Sequence, residues 1–545
     1  MDDTRRAAWE ALSQRHFDMI VIGGGVIGTG VARDAALRGL SVALLEKEDF
    51  GAGTSSRPTR LIHGGLRYLE MLDFKLVRED LKEREILLRT APHLVRPLPF
   101  LVPYYERSRL YAAKLKAGMV LYDVLSYDKS LPRHRVLSRA QALAAEPALS
   151  PDGLSGGALY YDAQVELTER LCVENALAAA EHGATLITHA IVVDLLRQGG
   201  DVVGVTARDN LEGGVYTVRG SVTINASGPW LDDLVGKATP GKTLLRRTKG
   251  VHLATPPAST NALVLFAGRD NRLFFVVPWM GLSWVGTTDT DFTGDPATAR
   301  ATPEDVAYLL DAVRRYVPGG HWDTVYYTQA GVRSLIKVEG VAESAVSRRH
   351  QIYDHARDGA SGLLSLVGGK LTAYRGIAAD LVDAACARLG RKLPCRTATL
   401  PLPGGRLGNV EAIVAGRIEP GAPAAGLSPA TVRHLASVYG SRYGRVVALC
   451  AQDSSLARPL CEHGPTVLGE VVVAVRDEMA LTLSDVLLRR LGVAFRTCRG
   501  LDCAPAVAAQ MAGLLGWDTA RTNAEVAAYE EQVHLGDPPP PPERV

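Results

Sequence analysis

Residues 17–48 read FDMIVIGGGVIGTGVARDAALRGLSVALLEKE. FDMIVI (17–22) is a short apolar run, GGGVIGTG (23–30) follows at once, a helical pattern reaches about Arg38, and SVALLEKE (41–48) is a second apolar run ending in acid. Strand, glycine-rich turn, helix and strand in that order predict a right-handed βαβ unit with parallel pairing. Gly23, Gly25 and Gly28 have the spacing G-x-G-x-x-G. The first glycine makes the tight turn, the second lets backbone approach a pyrophosphate, and the third lets helix and strand pack closely. The helix N-terminus then offers amide donors and a partial positive charge to the phosphates. Glu46 follows the first glycine by roughly the 20 residues expected of an acid that holds ribose hydroxyls. An acid there favours an unphosphorylated ribose, as in NAD or FAD.

The glycine motif alone does not choose between these two. Two other segments do. TINASGPW (223–230) is a strand ending in small residues, and VGGKLTAYRG (367–376) is a strand that runs into a Gly-Gly turn ahead of a helix. Three strand ends so far apart in sequence suit a long cofactor clasped by one domain built from separated segments, which favours FAD. Ser227 and Gly228 in the first segment, and Gly369, Lys370, Leu371 and Thr372 in the second, are the candidate cofactor contacts.

Composition removes other classes. The chain has 545 residues, 47% hydrophobic and 22% charged, which is ordinary for a multidomain globular protein. A net charge of +2 provides no global field to hold nucleic acid. The seven cysteines are an odd number without a Cys-x-x-Cys pair, so they are expected as reduced thiols with no disulfide frame and no zinc site. The first residues lack the apolar core of a signal peptide, and no apolar run approaches the roughly 18 residues of a membrane span.

Farther along, FKLVREDLKEREILLRTAPHL (74–94) is helical until prolines 92, 97, 99 and 103 break it, and residues 107–126 form a basic amphipathic helix. Residues 158–235 return to α/β, residues 244–345 are strand-rich, and 363–389 are strand, glycine turn and helix. The expected organisation is an FAD-dependent region over 16–395. Its FAD-binding segments fall at about 16–80, 155–235 and 346–395, and its substrate or cap segments at about 81–154 and 236–345. A linker over 396–426, a helical domain over 427–535 whose position after that linker suggests that it could fold alone, and a frayed proline-rich tail over 536–545 complete the chain. TLSD (482–485) fits a capping box.

The stretch TSSRPTRLIHGGLRYLE (54–70) places Arg57, Arg60, His63 and Arg67 around a Gly-Gly bend. Together with VIGGGVIGTG, APHLVRPLPF, NASGPW, GTTDTDF, GVRSL and LVGGKLTAYR, it resembles in order and spacing the FAD-dependent, membrane-associated sn-glycerol-3-phosphate dehydrogenases of aerobic glycerol use. The resemblance runs from about residue 17 to 390. It continues more weakly into the helical domain, where AVRDEMALTLSDVLLRR (474–490) is most similar. It implies an α/β fold with an α+β substrate region: a Rossmann-type FAD-binding domain of the glycine-oxidase and amino-acid-oxidase type, a strand-rich substrate domain and a C-terminal helical domain. It implies oxidation of glycerol 3-phosphate to dihydroxyacetone phosphate, with hydride passing to flavin and electrons to quinone.

Carried over by position, Arg67, Tyr68, Arg333, Arg348 and Lys370 become the substrate-side residues, with His63 close by. Thr54, Ser55 and Ser56 match the segment beside the flavin pyrophosphate. A phosphate dianion suits permanently charged, forked arginines. Lys370 wants an anion, either that phosphate or the flavin N1–C2=O edge. His63 is the candidate acceptor of the hydroxyl proton. Arg333 is a second catalytic candidate, because arginine-assisted deprotonation remains open. Ser334 stands where the family often has proline. Arg348 is followed by Arg349 and His350, so either arginine could meet the phosphate. Asp289 and Asp291 are expected in a turn rather than as metal ligands.

The resemblance further implies a peripheral protein on the inner face of the cell membrane, and it allows a homodimer. The helix over 107–126 then either lies on anionic lipid or packs on the core. Alternatives left open are an α-glycerophosphate oxidase that reduces O2 to H2O2, and another FAD-dependent oxidase of the same fold.

Overall fold

The computed structural model describes residues 3–65, 69, 73–105, 109–337, 349–406 and 426–540, and for 109–115 the backbone alone. The first strand, His16–Ile22, has every residue after His16 wholly or largely buried, as a central parallel strand requires. It pairs in parallel with Val42–Leu45 on one side and Val215–Asn225 on the other, with Ile22 opposite both Leu45 and Asn225. Leu363–Val367 extends the sheet beyond Val215–Asn225, also in parallel. Three segments far apart in sequence therefore end side by side at Ile22, Asn225 and Val367. Ligands of open parallel sheets bind beyond such carboxyl ends.

The helix Val26–Leu37 returns over this sheet, buried along most of its length. It packs against the helix Tyr374–Arg388 at glycine distance: a Cβ on Gly30 would lie 3.2 Å from the Tyr374 ring.

A second sheet of ten strands carries the substrate side. Its long ladder pairs Val95–Tyr105 with Leu154–Val165. The prolines that end the preceding helix thus lie inside a strand. Pro97, Pro99 and Pro103 are two or four residues apart, so their missing N–H groups fall on one edge and the ladder on the other edge persists. Leu245–Thr255 pairs with Tyr327–Ile336, placing Arg333 opposite Thr248.

The C-terminal helices include Pro429–Tyr439, Gly444–Gln452, Gly469–Arg476, Ala504–Leu515 and Thr519–His534. TLSD forms its capping box: Asp485 N–H donates to Thr482 Oγ1 (3.2 Å), and Thr482 N–H donates to the Asp485 carboxylate (3.0 Å). This unit is not an independent body. Leu435, Val446 and Val472 share one apolar cluster with Phe100 and Tyr122. Arg490 grips Asp49 through two bonds of 2.6 and 2.9 Å, both side chains fully buried. Arg170 and Glu478 form a second buried pair at 2.5 and 2.8 Å. Ions buried in this way must be paired, so the helical domain and the flavin-binding region neutralise each other's buried charges.

The expected linker also begins differently. Leu402, Pro403, Gly404 and Gly405 are buried, and Gly404 N–H donates to Glu174 (2.7 Å). Residues 407–425 lie outside the described residues. The expected tail is likewise anchored at its start, where Gly536 O accepts from Thr328 N–H (2.7 Å).

Candidate active site

A cavity of about 450 Å³ opens at the three strand ends. Its floor is the glycine turn. Gly23 has φ +105°, and a Cβ there would lie 2.6 Å from Ala226 O; a Cβ on Gly28 would lie 1.9 Å from Gly23 O. These two glycines serve the turn and the packing, and Gly23 and Gly25 both line the cavity. Ser55 Oγ accepts from Val26 N–H (2.9 Å), so a hydroxyl already sits at the helix N-terminus.

Glu46 stands at the end of the second strand. Its carboxylate accepts from the amides of Gly24 (2.5 Å) and Glu48 (2.9 Å), and burial pushes its pKa up against those bonds. Ser227 and Gly228 follow the second strand end. Gly369, Lys370, Leu371 and Thr372 follow the third, with Gly368 and Gly369 at φ +79° and +123°. A cavity that joins a glycine turn, a buried acid at the end of the second strand and glycine-bearing segments after the other two strand ends fits a dinucleotide.

The same cavity is also lined by His63, Asp80, Arg333 and Lys370. Burial lowers the His63 pKa; Asp162 opposes the shift, and Lys370 and Arg84 add to it. This shift favours the neutral imidazole, the form that can accept a proton. Its ring meets the edge of Phe275 at 5.9 Å, and its backbone N–H donates to Thr372 Oγ1 (3.2 Å).

Arg333 is held by Asp289 (2.9 Å), Thr287 Oγ1 (3.0 Å) and Thr288 O (3.2 Å). Asp289 thus orients an arginine, and Asp291, expected in a turn, lies instead in the short strand Thr290–Asp291 opposite Thr248 and pairs with Arg246 at 2.7 Å. Lys370 Nζ donates to Asp80 at 2.7 Å. Burial lifts the Asp80 carboxyl to about 6 even beside that lysine.

Several partners escaped sequence reading. The Gly-Gly bend is pinned from outside the motif: Gly64 N–H donates to Tyr122 Oη (2.9 Å), and Tyr122 donates to Asp162 (2.7 Å), which also pairs with Arg84. Each lies on a different element, and no local pattern announces the set. Asp80 sits within a charged helix, where it reads as a solvated residue.

Not every basic residue of 54–70 serves the cavity. Arg60 is fully buried, bonds Glu169 through two contacts of 3.0 Å, and lies between the rings of Trp279 and Phe495. It joins domains. Ser56 lines a separate, smaller cavity, and its hydroxyl donates to Gly53 O at 3.1 Å. Arg349 pairs with Asp73 at 2.6 Å. Arg67, Tyr68 and Arg348 lie outside the described residues.

Residues 18–375 match the family model described as FAD dependent oxidoreductase. The chain belongs to that family. Residues 395–522 of this flavoprotein match the C-terminal domain of alpha-glycerophosphate oxidase. It is 38% identical to a Synechocystis protein named glycerol-3-phosphate dehydrogenase, covering 94% of this chain and 96% of the relative. It is 42% identical to glycerol-3-phosphate dehydrogenase 2 of Mycobacterium tuberculosis, covering 97% and 90%. A solved glycerol-3-phosphate dehydrogenase from Bacillus halodurans, complexed with FAD, superposes with a TM-score of 0.82 at 29% identity, covering 99% of each chain. FAD is the cofactor of this oxidoreductase, and the cradle above is where this chain would hold it.

Proposed function

We propose that this flavoprotein oxidises sn-glycerol 3-phosphate to dihydroxyacetone phosphate and passes the electrons to a membrane quinone. The observation that carries this reading is His63, partly buried and with its pKa lowered by desolvation, lining one cavity with the cations Arg333 and Lys370. Full-length relatives with dehydrogenase names support it.

Bound FAD supplies the acceptor for the hydride that leaves the substrate's secondary carbon. His63 takes the hydroxyl proton, so that CH–OH becomes C=O with one hydride and one proton removed. Arg333, oriented by Asp289, brings a permanent positive charge to the substrate oxygens. Lys370 supplies positive charge where negative charge develops. Arg67, Tyr68 and Arg348 complete the phosphate contacts in this proposal. The experiment is anaerobic titration of the purified flavoprotein with sn-glycerol 3-phosphate and, separately, glycerol. Bleaching of the flavin bands by the phosphate ester alone supports the reading, and bleaching by neither or by both rejects it.

Use of O2 as acceptor is the alternative, and the dehydrogenase names of the relatives favour quinone over it. Peroxide formed in stoichiometric amount per turnover would reverse that preference.

Reaching quinone requires contact with a bilayer. No described helix is long and apolar enough to cross one. The helix Arg109–Leu125 buries Met119 and Tyr122 against the core. The opposite face presents Val120, Val124 and, just beyond, Tyr127, which are 54%, 60% and 79% exposed, with Phe74 at 40% on the adjacent helix. Three apolar side chains at spacings of four and three with exposed Lys116 beside them suit an interfacial face that rests on anionic lipid at the cytoplasmic surface.

A further inference from the structure

Two turns of the C-terminal helical domain bring together four side chains that the flavin cavity does not use. Cys461 and His463 lie on one turn, closed by the bridge between Pro459 and Val467 and by Leu460 N–H donating to Thr466 O (2.9 Å). Cys498 and Asp502 lie on another, closed by Leu501 N–H donating to Cys498 O (3.1 Å) and by the left-handed residues Arg499 and Gly500. The ligand atoms of all four side chains fall within 4.8 Å of one another. His463 Nδ1 is 3.4 Å from the Asp502 carboxylate. The two cysteines are too distant in sequence to suggest a site by spacing, which is why the sequence predicts none.

The donor set has a definite preference. Two thiolates and an imidazole are soft or borderline ligands, which exclude magnesium and calcium and suit zinc. Zinc–sulfur bonds of about 2.3 Å and zinc–nitrogen or zinc–oxygen bonds of about 2.0–2.2 Å place tetrahedral ligand atoms roughly 3.3–3.8 Å apart, so closing this cluster needs movement on the order of 1 Å. Four protein ligands leave no open position, which is the arrangement of a structural rather than a catalytic ion.

A separate contact already fastens the two turns together. Arg496, nearly buried, lies directly against Gly464: a Cβ there would fall 0.7 Å from Nη1. The same guanidinium donates to Thr466 Oγ1 at 2.9 Å. Only glycine at 464 permits this approach, so the turn that carries Cys461 and His463 is held in register with the segment that leads to Cys498.

We propose that Cys461, His463, Cys498 and Asp502 bind one structural zinc ion that ties these turns together. Binding converts two thiols to thiolates and releases their two protons; no electron is transferred. The second turn continues from Phe495, whose carbonyl accepts from Tyr327 Oη (2.7 Å) on the substrate sheet. The ion would therefore brace the helical domain against that sheet.

The test uses the full-length flavoprotein, kept reduced with a phosphine and stripped by chelation. It is titrated with Zn2+ against a chromophoric chelator, and with Co2+ under anaerobic conditions. The expected result is about one zinc per chain and, with cobalt, tetrahedral d–d bands plus a thiolate-to-metal band. Cys461→Ser and Cys498→Ser should lose both signals, while Cys395→Ser, outside the cluster, keeps them. His463→Ala and Asp502→Asn, at exposed positions, should weaken zinc binding by no less than roughly tenfold while retaining the flavin spectrum. They decide the matter if the cysteine variants misfold. Zinc binding that is absent, or unchanged in His463→Ala and Asp502→Asn, overturns the proposal. So does a Cys461–Cys498 disulfide that persists under the reductant.

Discussion

Lys370 Nζ lies 2.7 Å from the Asp80 carboxylate in the cavity wall, and burial lifts that carboxyl from 3.8 to about 6. A carboxyl whose folded pKa is raised stabilises the fold most when protonated. That contribution is complete below the unfolded value and lost as pH rises through about 6. Asp80→Asn should therefore remove this pH dependence. The wild type, compared with Asp80→Asn by denaturant unfolding, should lose relative stability between pH 5 and 7.5. The same variant should lose the limb near pH 6 in kcat/KM for glycerol 3-phosphate. A limb that survives in Asp80→Asn belongs to another group.

His63→Gln keeps a polar side chain of similar reach without a base in the accessible range. Loss of a positioned general base costs typically 10²–10⁴ in rate. The variant should bind FAD normally and show flavin reduction slowed by about that factor in anaerobic stopped-flow. Because the His63 pKa is lowered, wild-type activity should persist below pH 6.5. A slowing of less than about tenfold would assign the proton to Arg333 or solvent.

Asp289 holds the Arg333 guanidinium at 2.9 Å. Asp289→Asn weakens the charge-assisted bond but leaves the guanidinium in place. Arg333→Lys removes the fork itself. Steady-state kinetics should show a larger fall in kcat/KM for Arg333→Lys, on the order of 10–100-fold, than for Asp289→Asn. The reverse order would make Arg333 a structural partner of Asp289.

The apolar face of Val120, Val124 and Tyr127 is open to solvent, so replacing all three by serine costs little folding stability. Cosedimentation with anionic liposomes should fall sharply in this triple variant while the flavin spectrum is unchanged. Undiminished cosedimentation would move the membrane contact elsewhere.

The glycine turn, Glu46 and the three strand ends were legible because each obeys a local rule: a turn needs glycine, a buried parallel strand needs an apolar run. Arg60 shows where such reading stops. Its neighbours promised phosphate, yet Glu169 and the rings of Trp279 and Phe495, all remote in sequence, set its role. The support of Gly64 by Tyr122 and Asp162 was hidden for the same reason. Proline spacing in 97–103 was legible in principle: alternation keeps a strand edge intact, and counting prolines without their parity misses it.

The buried pair of Asp49 and Arg490 has a consequence for biosynthesis. Its members are 441 residues apart in the chain. At about 5–20 residues per second, Asp49 leaves the ribosome roughly 20–90 s before its partner exists. Through that interval the turn beyond Glu46 holds a carboxylate that cannot be buried cheaply. Closure of this contact between the N-terminal region and the helical domain is thus an event that follows translation.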